Sequence, residues 1–315
     1  MTERTENMLR FVAAAVLPPI VGTALVSVGV GVFEQYGWTL FLLLPLLMGF
    51  GSAVIYAPRG NKPYWQSLLA GLSSIVVIGV ALMAVAIEGL VCLAMALPLA
   101  VPLVAIGVLA GYTLTKQLKG NRSGVALSAL LFLAMPMLMG FETSNKPVPA
   151  VHQVVSTVEI DAPIEVVWKN VVEFPQIGAK PEGILNLGFA YPINAKIDGR
   201  GVGAIRYCNF NTGPFVEPIT AWQEPNLLAF DVRAQPAPMT ELTPYNDLHA
   251  AHLEYLRSQK GQFRLYEKDG KTVLEGTTFY THDIAPDIYW KLFSDEIIHQ
   301  IHLRVLNHIK EVSEK

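Results

Sequence analysis

The side chains in this 315-residue chain whose types and spacing could do chemistry lie after residue 150, where all seven histidines are found. His249-Ala-Ala-His252 and His299-Gln-Ile-His302 each set two imidazoles three residues apart, and Asp295 falls one helical turn before His299. Two imidazoles and a carboxylate that converged could hold zinc and leave a position open for water. Neither pair has a recognised zinc spacing, and a pair in a loop would have to meet a pair in a helix. No metal and no other cofactor is therefore assigned. His302, beside Ile298 and Val305, reads as a partly buried histidine, and His299 as a surface one.

Acid–base chemistry has a second set of candidates. Residues two apart on a strand share a face, which groups Tyr207 with Asn209, and Glu217 with Phe215 and Ile219. A buried Glu217 near Tyr207 could act as a general acid or base on an enolisable substrate. The alternative, which the costs of a lone buried carboxylate favour, is an ion pair of Glu217 with Arg206, Arg233 or Arg264 across the sheet. Leu274, Thr278, Tyr280 and His282 share a further face, but Val273 and Phe279 make the opposite face equally apolar, so parity alone leaves the inward side open. Nucleophilic catalysis has no support: there is no Gly-x-Ser-x-Gly elbow, and Cys208 has no adjacent base. Gly199-Arg-Gly201-Val-Gly203 does not lead into a helix and reads as a turn into a strand, not a phosphate loop.

These residues must be positioned by a sheet and one long helix. His152–Ile160 is a strand-like run. Asp161 and Pro163 then suit a helix start, and Val166, Val167, Asn170 and Val171 continue that helix. Strands are expected over Gly203–Phe210, Phe215–Trp222, Leu227–Ala234, Gln262–Glu267 and Thr272–Ile284, with turns at Asp198-Gly199, Thr212-Gly213-Pro214, Glu224-Pro225 and Asp269-Gly270. A closing helix from about Asp287 to Val312 carries Ile298, Ile301, Val305, Ile309 and Val312 along one face. Between two strands, Gln235–Lys260 is long for a hairpin connection and carries Pro236, Pro238, Pro244, Asp247, His249 and His252; it is either a loop packed against the sheet edge or a segment that covers the mouth of a cavity.

Ile160-Asp-Ala-Pro-Ile-Glu-Val-Val-Trp168, Gly201-Val-Gly203, Thr212-Gly-Pro-Phe-Val-Glu217, Trp222-Gln-Glu-Pro225, Leu228-Ala-Phe-Asp-Val232 and the closing helix together resemble the SRPBCC superfamily of START, polyketide cyclase/dehydrase and lipid-transport domains. The resemblance covers residues 151–315. It implies an α+β helix-grip (START-like) domain, an antiparallel sheet wrapped on a long C-terminal helix, with a hydrophobic ligand held between sheet and helix. Tyr207, Asn209, Glu217, Tyr280, His249, His252 and His302 are then the ligand-lining candidates, and Glu217 and Tyr207 the catalytic ones. Members of that superfamily include both binders and enzymes, so the resemblance leaves catalysis open.

The first half has a different solvent. Residues 1–150 contain only 13 charged side chains, 8 Lys or Arg and 5 Glu, in a chain that is 52% hydrophobic. Five stretches have no formal charge: Phe11–Phe33, Gln35–Pro58, Pro63–Ile87, Gly89–Thr115 and Ser123–Phe141. Each approaches or exceeds the roughly 20 residues that cross a hydrocarbon core. Pro98 and Pro102 allow Gly89–Thr115 to be either one kinked helix or a re-entrant pair. A signal peptide is excluded by the length and number of the spans. Arg4, Arg10, Arg59, Lys62, Lys116, Lys119 and Arg122 alternate with connections holding Glu34, Glu88, Glu142 and Lys146. Basic residues stay on the cytoplasmic side, so the N-terminus is expected in the cytoplasm and the C-terminal domain outside the cytoplasm, at a cell (inner) membrane.

No ionisable group lies well inside a span, which disfavours ion-coupled transport. Gly107-Val-Leu-Ala-Gly111 has the spacing of close helix packing, within the bundle or between copies in a homo-oligomer. No segment combines strong positive charge with aromatic interleaving, so a nucleic-acid partner is excluded. The expected organisation is a transmembrane domain over 1–142, a Pro-containing linker over 143–152 and a helix-grip domain over 153–315. The partners expected are the lipid bilayer and an apolar small molecule or lipid, which the chain would bind or transfer. The alternative is a polyketide cyclase/dehydratase-like enzyme.

Overall fold

The computed structural model describes residues 2–58, 62–117, 121–245 and 255–315. His249 and His252 lie outside the described residues. The chain forms two compact units.

The first unit holds five apolar helices, each with enough apolar length to cross a membrane. They are α1 (Glu3–Gly31), α2 (Leu44–Tyr56, entered through a π-helical turn at Thr39–Leu43), α3 (Tyr64–Ala84), α4 (Leu90–Gln117) and α5 (Asn121–Ser144). Apolar side chains all round these helices leave packing and helix-end hydrogen bonds to organise them. Of the two forms that Pro98 and Pro102 allowed, α4 takes the first: it is one continuous helix of 28 residues, about 42 Å at 1.5 Å per residue.

Glycines set the contact of α2 with α4. A Cβ at Gly107 would collide with the Leu46 carbonyl, one at Gly111 would come within 2.6 Å of the Phe50 carbonyl, and one at Gly49 would collide with that of Val104. The Gly107-xxx-Gly111 motif is thus occupied by packing inside the bundle. Side chains also bond across the bundle: Ser52 Oγ donates to Ala14 O at 2.8 Å and Gln35 Nε2 to Met139 O at 2.9 Å. Glu142 accepts from the Thr39 N–H at 3.2 Å and its hydroxyl at 2.8 Å. Two segments from much later in the chain belong to this unit: among the described residues, 241–245 and Ile284–Pro286. Leu90 N–H donates to Leu242 O at 2.9 Å, Tyr245 Oη to Ala84 O at 2.6 Å, and Ala285 N–H to Tyr36 O at 2.8 Å.

The second unit is a curled seven-stranded antiparallel sheet in the order β1-β7-β6-β5-β4-β3-β2 with a long helix on its inner side, the helix-grip architecture. Its strands are β1 (His152–Ile160), β2 (Pro192–Asp198), β3 (Ile205–Phe210), β4 (Gly213–Gln223), β5 (Leu227–Asp231), β6 (Leu256–Lys268) and β7 (Lys271–His282). Helix α6 (Ile164–Val172) follows β1, and α7 (Asp287–Ser313) closes the chain. Register shifts in β2, β4 and β6 bend the strands and curl the sheet. Apolar residues of the strands meet Val305, Leu306 and Ile309 of α7 and Trp168 of α6 in one core, where Trp168 packs edge-on against Trp222 at 5.5 Å.

Several details differ from the sequence expectation: β3 starts at Ile205 rather than Gly203, β5 ends at Asp231 rather than Ala234 and β7 at His282 rather than Ile284. Strand β2 was not among the expected strands, although Ile193, Ala195 and Ile197 alternate with Asn194, Lys196 and Asp198. Strand β6 begins six residues early, at Leu256, in a polar run that backbone pairing with β7 holds extended. Asp161 does not cap α6, whose N-cap is Pro163. The Asp161 N–H instead donates to Glu314 Oε1 at 2.8 Å.

Candidate functional site

The inner side of the sheet is decided by β3 and β4. Their register places Arg206 opposite Glu217 and Cys208 opposite Phe215, and it is Arg206 and Cys208, not Tyr207 and Asn209, that enter the core. Arg206 is 1% exposed and Glu217 5%, and Arg206 Nη1 donates to Glu217 Oε2. Arg206 Nε donates to the Val172 carbonyl at 3.2 Å. The rings of Phe263, Phe174 and Phe230 lie 5.4, 5.7 and 5.8 Å from the guanidinium carbon. Gly261 makes room for one of them, since a Cβ there would lie 2.6 Å from Phe230 Cζ. The remaining donor, Arg206 Nη2, is buried and makes no hydrogen bond with any described residue.

Burial pushes the Glu217 carboxyl above the usual carboxylate range, against the pull of the adjacent guanidinium. Burial and the nearby Glu217 push the Cys208 thiol up to about 12, so it is a poor nucleophile at neutral pH. The arrangement is a net-neutral ion pair in an aromatic wall, with the two N–H groups of Arg206 Nη2 making no hydrogen bond with a described residue.

A second polar group runs between β1, β7 and α7. Tyr280 and His302 both belong to it. The phenol of Tyr280, fully buried, donates to Asp295 Oδ1 at 2.6 Å, and Asp295 is ion-paired with Lys291. Burial and the Asp295 carboxylate hold that phenol protonated, above its ordinary range. Ser156 Oγ lies 2.7 Å from His299 Nδ1 and 3.0 Å from His302 Nδ1, while His302 Nε2 meets Thr278 Oγ1 at 2.7 Å. Burial, with His299 beside it, lowers the His302 pKa to about 4. His302 is therefore neutral at pH 7, one ring nitrogen donating and the other accepting. Thr278, Tyr280 and His282 face α7, which answers the question that strand parity left open.

The expected site residues thus divide. Glu217, Tyr280 and His302 come to the side of the sheet that α7 covers. Tyr207 and Asn209 project from the other face, so Glu217 and Tyr207 do not form the acid–base pair considered from the sequence, and Glu217 takes Arg206 as its partner. Asn209 Nδ2 donates to Asn194 Oδ1 at 2.7 Å on that outer face. His299 and His302 converge on Ser156, and Asp295 pairs with Tyr280 and Lys291, while His249 and His252, the other pair of the zinc possibility, lie outside the described residues.

Two groups not expected from the sequence offer metal-type donors. His152, His282 and Asp287 bring one donor atom each to within 4.8 Å of one another in the sheet unit. Glu88, Cys92 and Glu241 do the same in the helical unit, where Cys92 Sγ donates to Glu241 Oε1 at 2.6 Å and Tyr36 Oη to Glu88 Oε1 at 2.5 Å. Both groups draw on residues at least 130 positions apart, so no local motif announces them.

No protein-family model matches the chain, and no curated protein matches it. Solved structures resemble about half of the chain. A truncated norcoclaurine synthase from Thalictrum flavum is 13% identical with a TM-score of 0.34, over 53% of this chain and 96% of that one. Aha1 from Colwellia psychrerythraea is 14% identical with a TM-score of 0.31, over 52% and 96%. The major latex-like protein 151 of Panax ginseng is 13% identical with a TM-score of 0.32, over 52% and 99%. The helix-grip assignment rests on this chain's own strand order, register and closing helix, and it is the architecture that the SRPBCC resemblance implies.

Proposed function

We propose that the chain is a membrane-anchored binding or transfer protein for an apolar small molecule or lipid, taken up between the sheet and α7. The observation that carries this reading is the Arg206 guanidinium, buried among Phe174, Phe230 and Phe263 with Nη2 lacking a hydrogen-bond partner among the described residues. A buried donor left unsatisfied costs about 1–3 kcal/mol, more when charged. A ligand oxygen at that point would remove the cost. Because Glu217 already neutralises Arg206, the matching acceptor is a neutral carbonyl or hydroxyl oxygen on an otherwise apolar body. Anchoring suits such a ligand, since its concentration is highest in the bilayer.

Lys and Arg placement further supports a cytoplasmic N-terminus and a helix-grip domain on the opposite side of a cell membrane. An Asp269→Cys variant in a Cys92→Ser background tests that topology at an exposed hairpin tip. Labelling by an impermeant thiol reagent on intact cells is expected, and protection would reverse the topology.

The binding reading is tested on the full chain extracted in mild detergent, with small molecules released and identified by mass spectrometry. Wild type should carry a stoichiometric apolar compound with a carbonyl or hydroxyl group. The paired variant Arg206→Met/Glu217→Leu, which keeps the core neutral, should lose it while retaining its circular dichroism. An empty wild type, or equal occupancy in the paired variant, would sink the proposal. The raised Glu217 pKa favours one second reading, an acid–base enzyme of the cyclase or dehydratase type. In that case Glu217→Gln should accumulate a precursor that differs covalently from the compound found in wild type.

A further inference from the structure

The three donors His152, His282 and Asp287 come from three places in the fold. His152 is the first residue of β1, His282 the last of β7, and Asp287 the first of α7. Strand pairing brings the two histidines together: His152 is the Cα partner of Tyr280, and His282 lies two residues further on the same face. Their rings stack at 5.2 Å with 19° between planes, and the Tyr280 ring packs beside both, at 5.4 and 6.2 Å. Both Nε2 atoms lie near one carboxylate oxygen. His152 Nε2 is 2.8 Å and His282 Nε2 3.4 Å from Asp287 Oδ1.

We propose that His152, His282 and Asp287 form a binding site for a divalent transition-metal ion, zinc being the best fit. With bonds of about 2.0–2.1 Å, a tetrahedral ion holds its donor atoms roughly 3.3 Å apart, and the two observed separations bracket that spacing. Two imidazoles select zinc and its neighbours over calcium or magnesium, which take oxygen ligands. Burial is graded across the site. The His282 side chain is 1% exposed and that of His152 10%, so the rings are fixed, whereas Asp287 is 54% exposed. The open side is therefore the carboxylate side, where water or a substrate oxygen would complete the coordination. Three protein ligands with an accessible fourth position is the arrangement of a zinc ion that acts on a ligand. The site is separate from Arg206 and Glu217 and does not rest on the binding function proposed for them.

The test uses the full chain in detergent, stripped with a chelator and then dialysed against Zn(II) or titrated with Co(II). One equivalent of zinc should bind, and Co(II) should give the intense visible bands of a tetrahedral site. His152→Gln and Asp287→Asn should each weaken binding by on the order of 100-fold or more, since even outer-shell changes cost roughly 10–100-fold. Both substitutions lie at element ends, and circular dichroism checks that the sheet is retained. Cys92→Ser should bind as wild type does. The proposal is overturned if wild type binds no stoichiometric metal, which would leave Asp287 as a plain hydrogen-bond partner of His152. It is equally overturned if His152→Gln and Asp287→Asn bind like wild type, or if Cys92→Ser alone abolishes binding and so places the metal at Glu88, Cys92 and Glu241.

Discussion

The α2–α4 contact of the helical unit and the β3–β4 pair of the sheet unit bury their residues by opposite means. In the first, Gly49, Gly107 and Gly111 remove side chains so that backbones meet, and the polar groups nearby are hydroxyls returned to main-chain carbonyls. In the second, an arginine and a glutamate are kept inside, walled by three phenylalanines, although a buried ion pair is seldom more stabilising than apolar residues of the same size. The lesson lies in where chemistry has been tolerated. The helical contact has been stripped to its packing, while the sheet interior retains Arg206 and Glu217, groups whose burial is costly.

The largest effect should come from splitting the buried pair. Glu217→Ala leaves Arg206 charged and uncompensated and should destabilise the sheet unit by about 3–5 kcal/mol, read as lost hydrogen-exchange protection of β3 and β4 amides. The paired Arg206→Met/Glu217→Leu change should recover most of that. If the single change cost under about 1 kcal/mol, the contrast drawn between the two regions would fail.

Acidification comes next. The folded pKa of His302, about 4, lies below its ordinary value of 6.5, so between those limits the unfolded chain binds the extra proton. Stability is then fully present above pH 6.5 and falls with decreasing pH by up to about 1.4 kcal/mol per unit until pH 4. A His302→Gln variant should flatten that slope in denaturation measured across the range, and an unchanged slope would remove His302 as its source.

The smallest effect is expected in the helical unit. Gly107→Ala drives a methyl group into the Leu46 carbonyl and should cost about 1–3 kcal/mol, seen as a lower melting temperature in detergent. Hydrogen exchange in the sheet unit should be unaffected. Were Gly107→Ala neutral, α2 and α4 would not be held by close backbone approach.

Much of the fold is legible in the sequence. His152–Ile160 and the closing helix are legible with almost their observed bounds because the strand is a run of β-branched residues and the helix carries a 3.6-residue apolar period. Strand β2 escaped because its alternation covers only six residues with Ala195 at the centre. The Asp269-Gly270 turn was identified because both residues take positive φ, 51° and 77°, which Gly and Asp accept at least strain. The site was less accessible. Glu217 and Arg206 could be named as partners among three choices, but the choice waited on register. Nothing in the sequence pairs His152 with His282, since 130 residues separate them.

Composition, charge spacing and periodicity by themselves determined that the chain has an apolar helical half and an α+β half with every histidine, because these properties depend only on neighbours along the chain. Register and packing decided the rest: that Arg206 rather than Tyr207 faces inward, that Gly107 and Gly111 are spent against α2, and that His152, His282 and Asp287 meet. Pairing strands one residue out of step turns each side chain to the other face, and that choice is made by the whole core at once.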